Sequence, residues 1–260
     1  HEHGARLAQL AGFVEARRND DPNVLLVDSG DWFNKGQLTG LATRGEAIAA
    51  MLGAMEYDAL TIGNHDHAFG TPRLAGLIDG YDLPVVAANL RWPEDFEPEQ
   101  APPYRIFELE GVTVAIMGVA APSAGPAYAM READGLMEFL PIEESIGDLV
   151  AMLEERADIV ALLTHVGYAR DVQLAESFPG VDIIFGGHDH NLKQSVNYAV
   201  GTDAIVQQSG ANGRMLGELR VVWDGEQVVE PEWRLVLATD ELPTSAVVEE
   251  MHQEYLSQAD

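Results

Sequence analysis

Cysteine is absent from all 260 residues, which excludes disulfide scaffolds, thiolate zinc sites and cysteine nucleophiles together. Lysine is nearly absent: it occurs only at Lys35 and Lys193, so arginine supplies 13 of the 15 basic residues. Against these stand 43 acidic residues, for a formal net charge of −28. A field of that sign repels polyanions and argues against nucleic-acid polymers as partners. It suits a protein solvated in high salt, where screening relieves self-repulsion. GC-rich codon usage on a soluble protein would leave the same composition. Long apolar runs are missing too. The longest, such as "IVALL" (159–163) and "VVAANL" (85–90), have strand length, so no transmembrane helix is expected. The chain opens at His1 and not at Met, which reads as processing or a fragment.

What is present is enough apolar material for a real core. With 47% hydrophobic residues, the chain reads as one large domain or a domain plus an appendage. Strand-like runs fall at 24–28, 58–62, 84–88, 105–109, 112–119, 158–164, 181–185, 204–208, 216–223 and 233–237. Their near-continuous hydrophobicity predicts strands covered on both faces. Amphipathic stretches at 5–18, 44–55, 71–79, 143–156 and 169–177 predict helices between them, so the fold class is α/β. Glycine turns at 110–112 and 224–226 predict antiparallel pairing beside a mostly parallel sheet. Residues 91–103, with four prolines, read as an excursion loop, and 243–258 as a final helix capped by Thr244 or Ser245.

The chemistry collects at strand ends. "DSGD" (28–31), "GNHDH" (63–67), "TH" (164–165) and "GGHDH" (186–190) each follow an apolar run, at the edge where open α/β sheets bind ligands. Five of the eight histidines (His65, His67, His165, His188 and His190) lie in these clusters. A lone histidine at a strand end is ordinarily a hydrogen-bonded structural residue; three strands ending in histidine, with Gly-Asp on a fourth, are harder to dismiss. Imidazole and carboxylate donors without thiolate suit Zn, Mn, Fe or Co rather than calcium. The glycines ahead of Asp31, Asn64 and His188 let the backbone turn sharply toward one point. Asp28 and Asp189 read as acceptors for turn amides, His67 as a bystander, and Tyr168, Arg170 and Asp171 as solvent-exposed.

As a set, "GD" (30–31), "GNHD" (63–66), His165 and "GGHDH" (186–190) resemble the calcineurin-like metallophosphoesterases. "AANL" (87–90), "EGVTVAIMGV" (110–119), "PGVDIIFGGHDH" (179–190) and "QSGANGRMLGEL" (208–219) point to the branch of bacterial 5′-nucleotidases and 2′,3′-cyclic phosphodiesterases. The resemblance implies a two-sheet mixed β sandwich flanked by helices, two divalent metal ions and a small phosphate-ester substrate such as a nucleotide. It also implies a periplasmic or extracellular setting. Asp31 would bridge the two metals, and Asn64, His165 and His188 would complete the second. His190 would hold the first, together with an Asp-x-His motif from an opening strand. His65 would face the phosphate and protonate the leaving oxygen, while a metal-bridging hydroxide attacks phosphorus in line. Asn64 and Asn89 would help bind substrate, and Asp66 would support the loop.

Two departures stand out. The opening strand with its Asp-x-His is missing, and His1 sits where the motif's histidine belongs, so the catalytic domain (1–240) reads as lacking its first strand. The branch usually reads "GNHEFDYG", with a carboxylate that orients the histidine; here that position is Ala68. Residues 241–260 would form a helix resembling the linker to a further, substrate-holding domain, either cut away or never possessed. Three functional readings follow: a dimetal hydrolase of small phosphate esters, a degenerate module that binds metal or phosphate without turnover, and a nuclease of the same superfamily, which the charge disfavours.

Overall fold

The computed structural model describes residues 4–33, 42–99, 101–120 and 136–259. The first half contains α1 (Gly4–Asp20), β1 (Val27–Asp28), α2 (Glu46–Ala54), β2 (Ala59–Leu60), α3 (Thr71–Gly80), β3 (Leu90–Arg91), β4 (Tyr104–Leu109) and β5 (Val112–Val119). The second contains β6 (Glu138–Phe139), α4 (Ile142–Glu154), β7 (Ile159–Thr164), α5 (Tyr168–Ser177), β8 (Ile183–Gly186), β9 (Ile205–Gln207), β10 (Met215–Trp223), β11 (Val228–Leu237) and α6 (Ala246–Ala259).

The largest sheet has the order β4-β5-β7-β8-β9. Its β4–β5 pair is antiparallel and the rest is parallel. A two-residue turn joins that pair, with Glu110 and Gly111 both at positive φ (48° and 89°), as the right-handed strand twist favours. All six residues of β7 are buried, which is why its sequence is apolar without alternation. One face, through Met117, Leu162 and Ile184, packs on Val150 of α4 and Leu174 of α5. The other face, through Ile116, Ala161 and Ile183, meets Val27, Leu219 and Val221 of a second strand layer. Helices α1, α2, α3 and α6 cover that second layer through Leu7, Met51, Leu77 and Val248. The result is helix, sheet, sheet, helix: the expected sandwich with mixed strand directions.

The second layer is shorter than the sequence predicts. β1 and β2 pair over two residues each, and the run at 84–88 joins only through a single bridge from Leu60 to Val85. That run instead lays its backbone on β5: the Ala88 amide donates to the Gly118 carbonyl, and a Cβ at Gly118 would fall 1.8 Å from the Val86 oxygen. Among the described residues, β1 has a strand neighbour only in β2, and β10 only in β11. Between them runs a cavity of about 1050 Å³. Apolar side chains of both strand layers line it together with polar groups, among them His65, His165, His188 and His190.

Candidate metal centre and active site

The loops after β1, β2, β7 and β8 converge. Asp31 sits in the left-handed region (φ 64°), which swings its carboxylate toward the other loops. Its Oδ1 accepts the His65 amide at 2.8 Å, and its Oδ2 lies 3.0 Å from His165 Nε2 and 4.0 Å from His65 Nε2. Gly63 permits this approach, because a Cβ there would stand 2.3 Å from Asp31 Oδ1. His188 and His190 also take positive φ (83° and 58°). Three expected ligands thus hold a backbone conformation that costs on the order of 1–3 kcal/mol each, the kind of local strain concentrated at functional sites.

His165 is fully enclosed (2% exposed). Its Nδ1 is 2.6 Å from the Ser29 carbonyl, which can only accept, so the proton resides on Nδ1 and the Nε2 lone pair faces Asp31. A lone pair and a carboxylate oxygen 3.0 Å apart need a cation between them, a proton or a metal. Burial pulls the His165 imidazolium down, but the Asp31 carboxylate outweighs it and the net direction is up. Burial raises Asp31 in turn, yet the His165 pairing holds it below the ordinary value. His188 Nδ1 lies 3.0 Å from Asn64 Oδ1, and the His165 and His188 rings are 5.2 Å apart. Burial, and then the neighbouring His165, shift the His188 imidazolium down, the direction that suits a metal ligand. One carboxylate, one amide oxygen and two imidazoles form a mixed O and N donor set that fits a borderline divalent ion. Among the described residues, no group of three or more His, Asp or Glu side chains is placed to hold a metal ion by itself.

The remaining sequence-derived residues divide clearly. His65 and His190 line the same cavity, and His1 lies outside the described residues. Asp66 is buried and accepts the amides of Asp31, Phe33 and Gly63 at 2.9, 3.2 and 2.7 Å. His67 is buried edge-on against Phe139. Asn89 is completely buried, its amide spent on both backbone groups of Ala120, so in this structure it braces the end of β5. Asp28 and Asp189 accept the amides of Gly30 and Tyr168, as expected of turn residues. Asp171 corrects its reading: it is not solvent-exposed but fully buried behind the loops (0% exposed). Sequence reasoning also passed over Ser29, whose hydroxyl donates to Phe185 O while its carbonyl fixes the His165 tautomer, and Gln208. Neither residue type carries a signal of its own.

A family profile described as calcineurin-like phosphoesterase matches residues 1–192. The chain belongs to that family. Its members are metal-dependent phosphoester hydrolases, and the match spans the strand-end loops just described. The trifunctional nucleotide phosphoesterase YfkN of Bacillus subtilis is 29% identical over 238 residues, which cover 80% of this chain and 16% of that protein. A 5′-nucleotidase of Diplobatis ommata is 27% identical over 259 residues, covering 86% of this chain and 42% of that one. The chain therefore spans less than half of either relative. The crystal structure of a 5′-nucleotidase precursor from Thermus thermophilus superposes with a TM-score of 0.81 at 26% identity, over 97% of this chain and 53% of that one. No described helix is long and apolar enough to cross a membrane.

Proposed function

We propose that this calcineurin-like phosphoesterase hydrolyses small phosphate esters, nucleotides among them, using two divalent ions held where the histidines line the cavity. The observation that carries the reading is the buried His165 Nε2, aimed at Asp31 Oδ2 3.0 Å away. Asp31, Asn64, His165 and His188 would hold one ion, and Asp31 and His190 would contribute to the other. When bound, the ions supply an activated water and neutralise phosphate charge. The chain's own work is orientation: Ser29 sets the His165 tautomer, Asp66 fixes the Asp31 and Gly63 turns, and Asn64 and His65 face the phosphate. His65, partly exposed beside Asp31, donates the proton that the leaving oxygen needs.

Val27, Val114, Ile116, Ile183, Leu219 and Val221 line the cavity between β1 and β10, and among the described residues neither strand has a second strand neighbour. Turnover of p-nitrophenyl phosphate and nucleoside monophosphates in Mn²⁺ and in Zn²⁺, with metal content measured alongside, tests the activity. Bound metal without turnover would favour the binding-module reading, and digestion of single-stranded DNA the nuclease.

A further inference from the structure

Asp171 is a carboxylate with no exposure in a protein of net charge −28. Burial pushes its carboxyl up to about 7. An apolar residue would pack at such a place at lower cost. The carboxylate is instead shaped to take two donors from two strand ends. Its Oδ1 accepts the Thr164 hydroxyl at 2.5 Å, and Thr164 is the residue before His165. Its Oδ2 accepts Gln208 Nε2 at 3.2 Å. The same Gln208 amide donates to the Gly187 carbonyl at 3.3 Å, next to His188. Gln208 Oε1 accepts the Asn191 amide at 3.1 Å, next to His190. The contact is close on every side: a Cβ at Gly186 would stand 1.9 Å from Asp171 Oδ2, and one at Gly187 2.9 Å from His165 Nδ1.

We propose that Asp171 is a positioning residue for the metal centre, setting through Thr164 and Gln208 the spacing between His165 and the His188–His190 loop. Asp171 touches neither substrate nor ligand atoms. It acts by holding the ends of β7, β8 and β9 in one register. The inference rests on the metal-centre reading above, so its test needs one readout that does not involve metal.

Asp171→Asn retains shape but has a single acceptor, so either the Thr164 hydroxyl or the Gln208 amide is left without one. Adding Gln208→Glu reverses the second donor: the new amide at 171 can donate to it, and its other oxygen still accepts the Asn191 amide, while the Gly187 carbonyl loses its Gln208 donor. Two measurements apply to the full chain: calorimetric titration with Mn²⁺ and Zn²⁺, and amide hydrogen exchange at Asn191. Support is an affinity loss of roughly tenfold or more in Asp171→Asn, faster Asn191 exchange, and recovery of the slow Asn191 exchange in the double variant. Unchanged affinity and exchange would overturn the proposal. So would fast Asn191 exchange that the double variant does not slow. If the unaltered chain binds neither metal, the metal-centre reading fails, and Asn191 exchange with its recovery alone decides the role of Asp171.

Discussion

Asp66 accepts the backbone amide of Asp31 at 2.9 Å across 35 positions of sequence. The same Asp66 oxygen takes the Gly63 amide at 2.7 Å and its other oxygen the Phe33 amide at 3.2 Å, so one buried carboxylate ties the loop after β1 to the loop after β2. Burial, and then the charge of Asp31, push Asp66 up, while the amides of Gly63 and Phe33 hold it down. The strained φ of Asp31 (64°) persists because this carboxylate holds it in place.

Asp66→Ala removes the acceptor of three amides at once. Each buried donor left unsatisfied costs about 1–3 kcal/mol, so a clear fall in melting temperature is expected by calorimetry. Phosphatase activity should fall with it. A variant that keeps both would show that the two loops find their register without Asp66.

His65 and His165 should separate cleanly. His165→Ala deletes a ligand, so metal content by elemental analysis should drop together with turnover. His65→Ala should leave metal content intact and lower kcat by roughly 10²–10⁴-fold, the usual contribution of a positioned acid. Full activity in His65→Ala would end its assignment as the proton donor.

Two glycines should respond oppositely to alanine. Gly63→Ala puts a Cβ 2.3 Å from Asp31 Oδ1 and 2.4 Å from its amide nitrogen, which must displace the carboxylate. Lower stability and weaker Mn²⁺ binding are expected. A Cβ at Gly76, in the middle of α3, meets nothing within 4 Å. Gly76→Ala should therefore raise stability by up to ~1 kcal/mol through helix propensity alone, with metal affinity unchanged.

In the metal-free protein, Asp171 should contribute a loss of stability as pH rises from about 4 to about 7. The folded Asp171 holds its proton up to about 7, whereas the unfolded side chain releases it near the ordinary 3.8. Over that window the folded state carries more protons, so unfolding free energy falls with pH. Asp189 and His165 face the same carboxyl, the first raising and the second lowering it. Denaturant unfolding in EDTA at pH 4.5 and 7 should show a shallower pH slope in Asp171→Asn than in the unaltered chain. Equal slopes would mean that Asp171 ionises in the fold as it does in the open chain.

Much of the architecture was legible because burial on both faces leaves a continuous apolar record, as in β7 and β8. The hairpins were legible from glycine at turns that need positive φ. The runs at 24–28, 58–62 and 84–88 misled by length: apolar content records burial, not pairing, and the 84–88 backbone joins β2 at a single bridge and then packs on β5 through Gly118. At the site, Asp31, Asn64, His165 and His188 came from motif and strand-end position. Asp171 was misread because it follows a loop at the start of α5, where charged residues ordinarily face solvent; it faces inward because β9 brings Gln208 beside it.

The sequence by itself determined the α/β class, the loops that carry chemistry and the donor types, since these depend on hydrophobic period, glycine placement and side-chain identity. The tertiary structure alone decided which partners those donors meet. That the Ser29 carbonyl fixes the His165 tautomer, that Asp66 joins two loops, and that Asp171 meets Gln208 beneath the strand ends are all contacts across 35 to 136 positions. Hydrogen bonds of that span leave no periodic trace, because their geometry exists only once the strands are aligned.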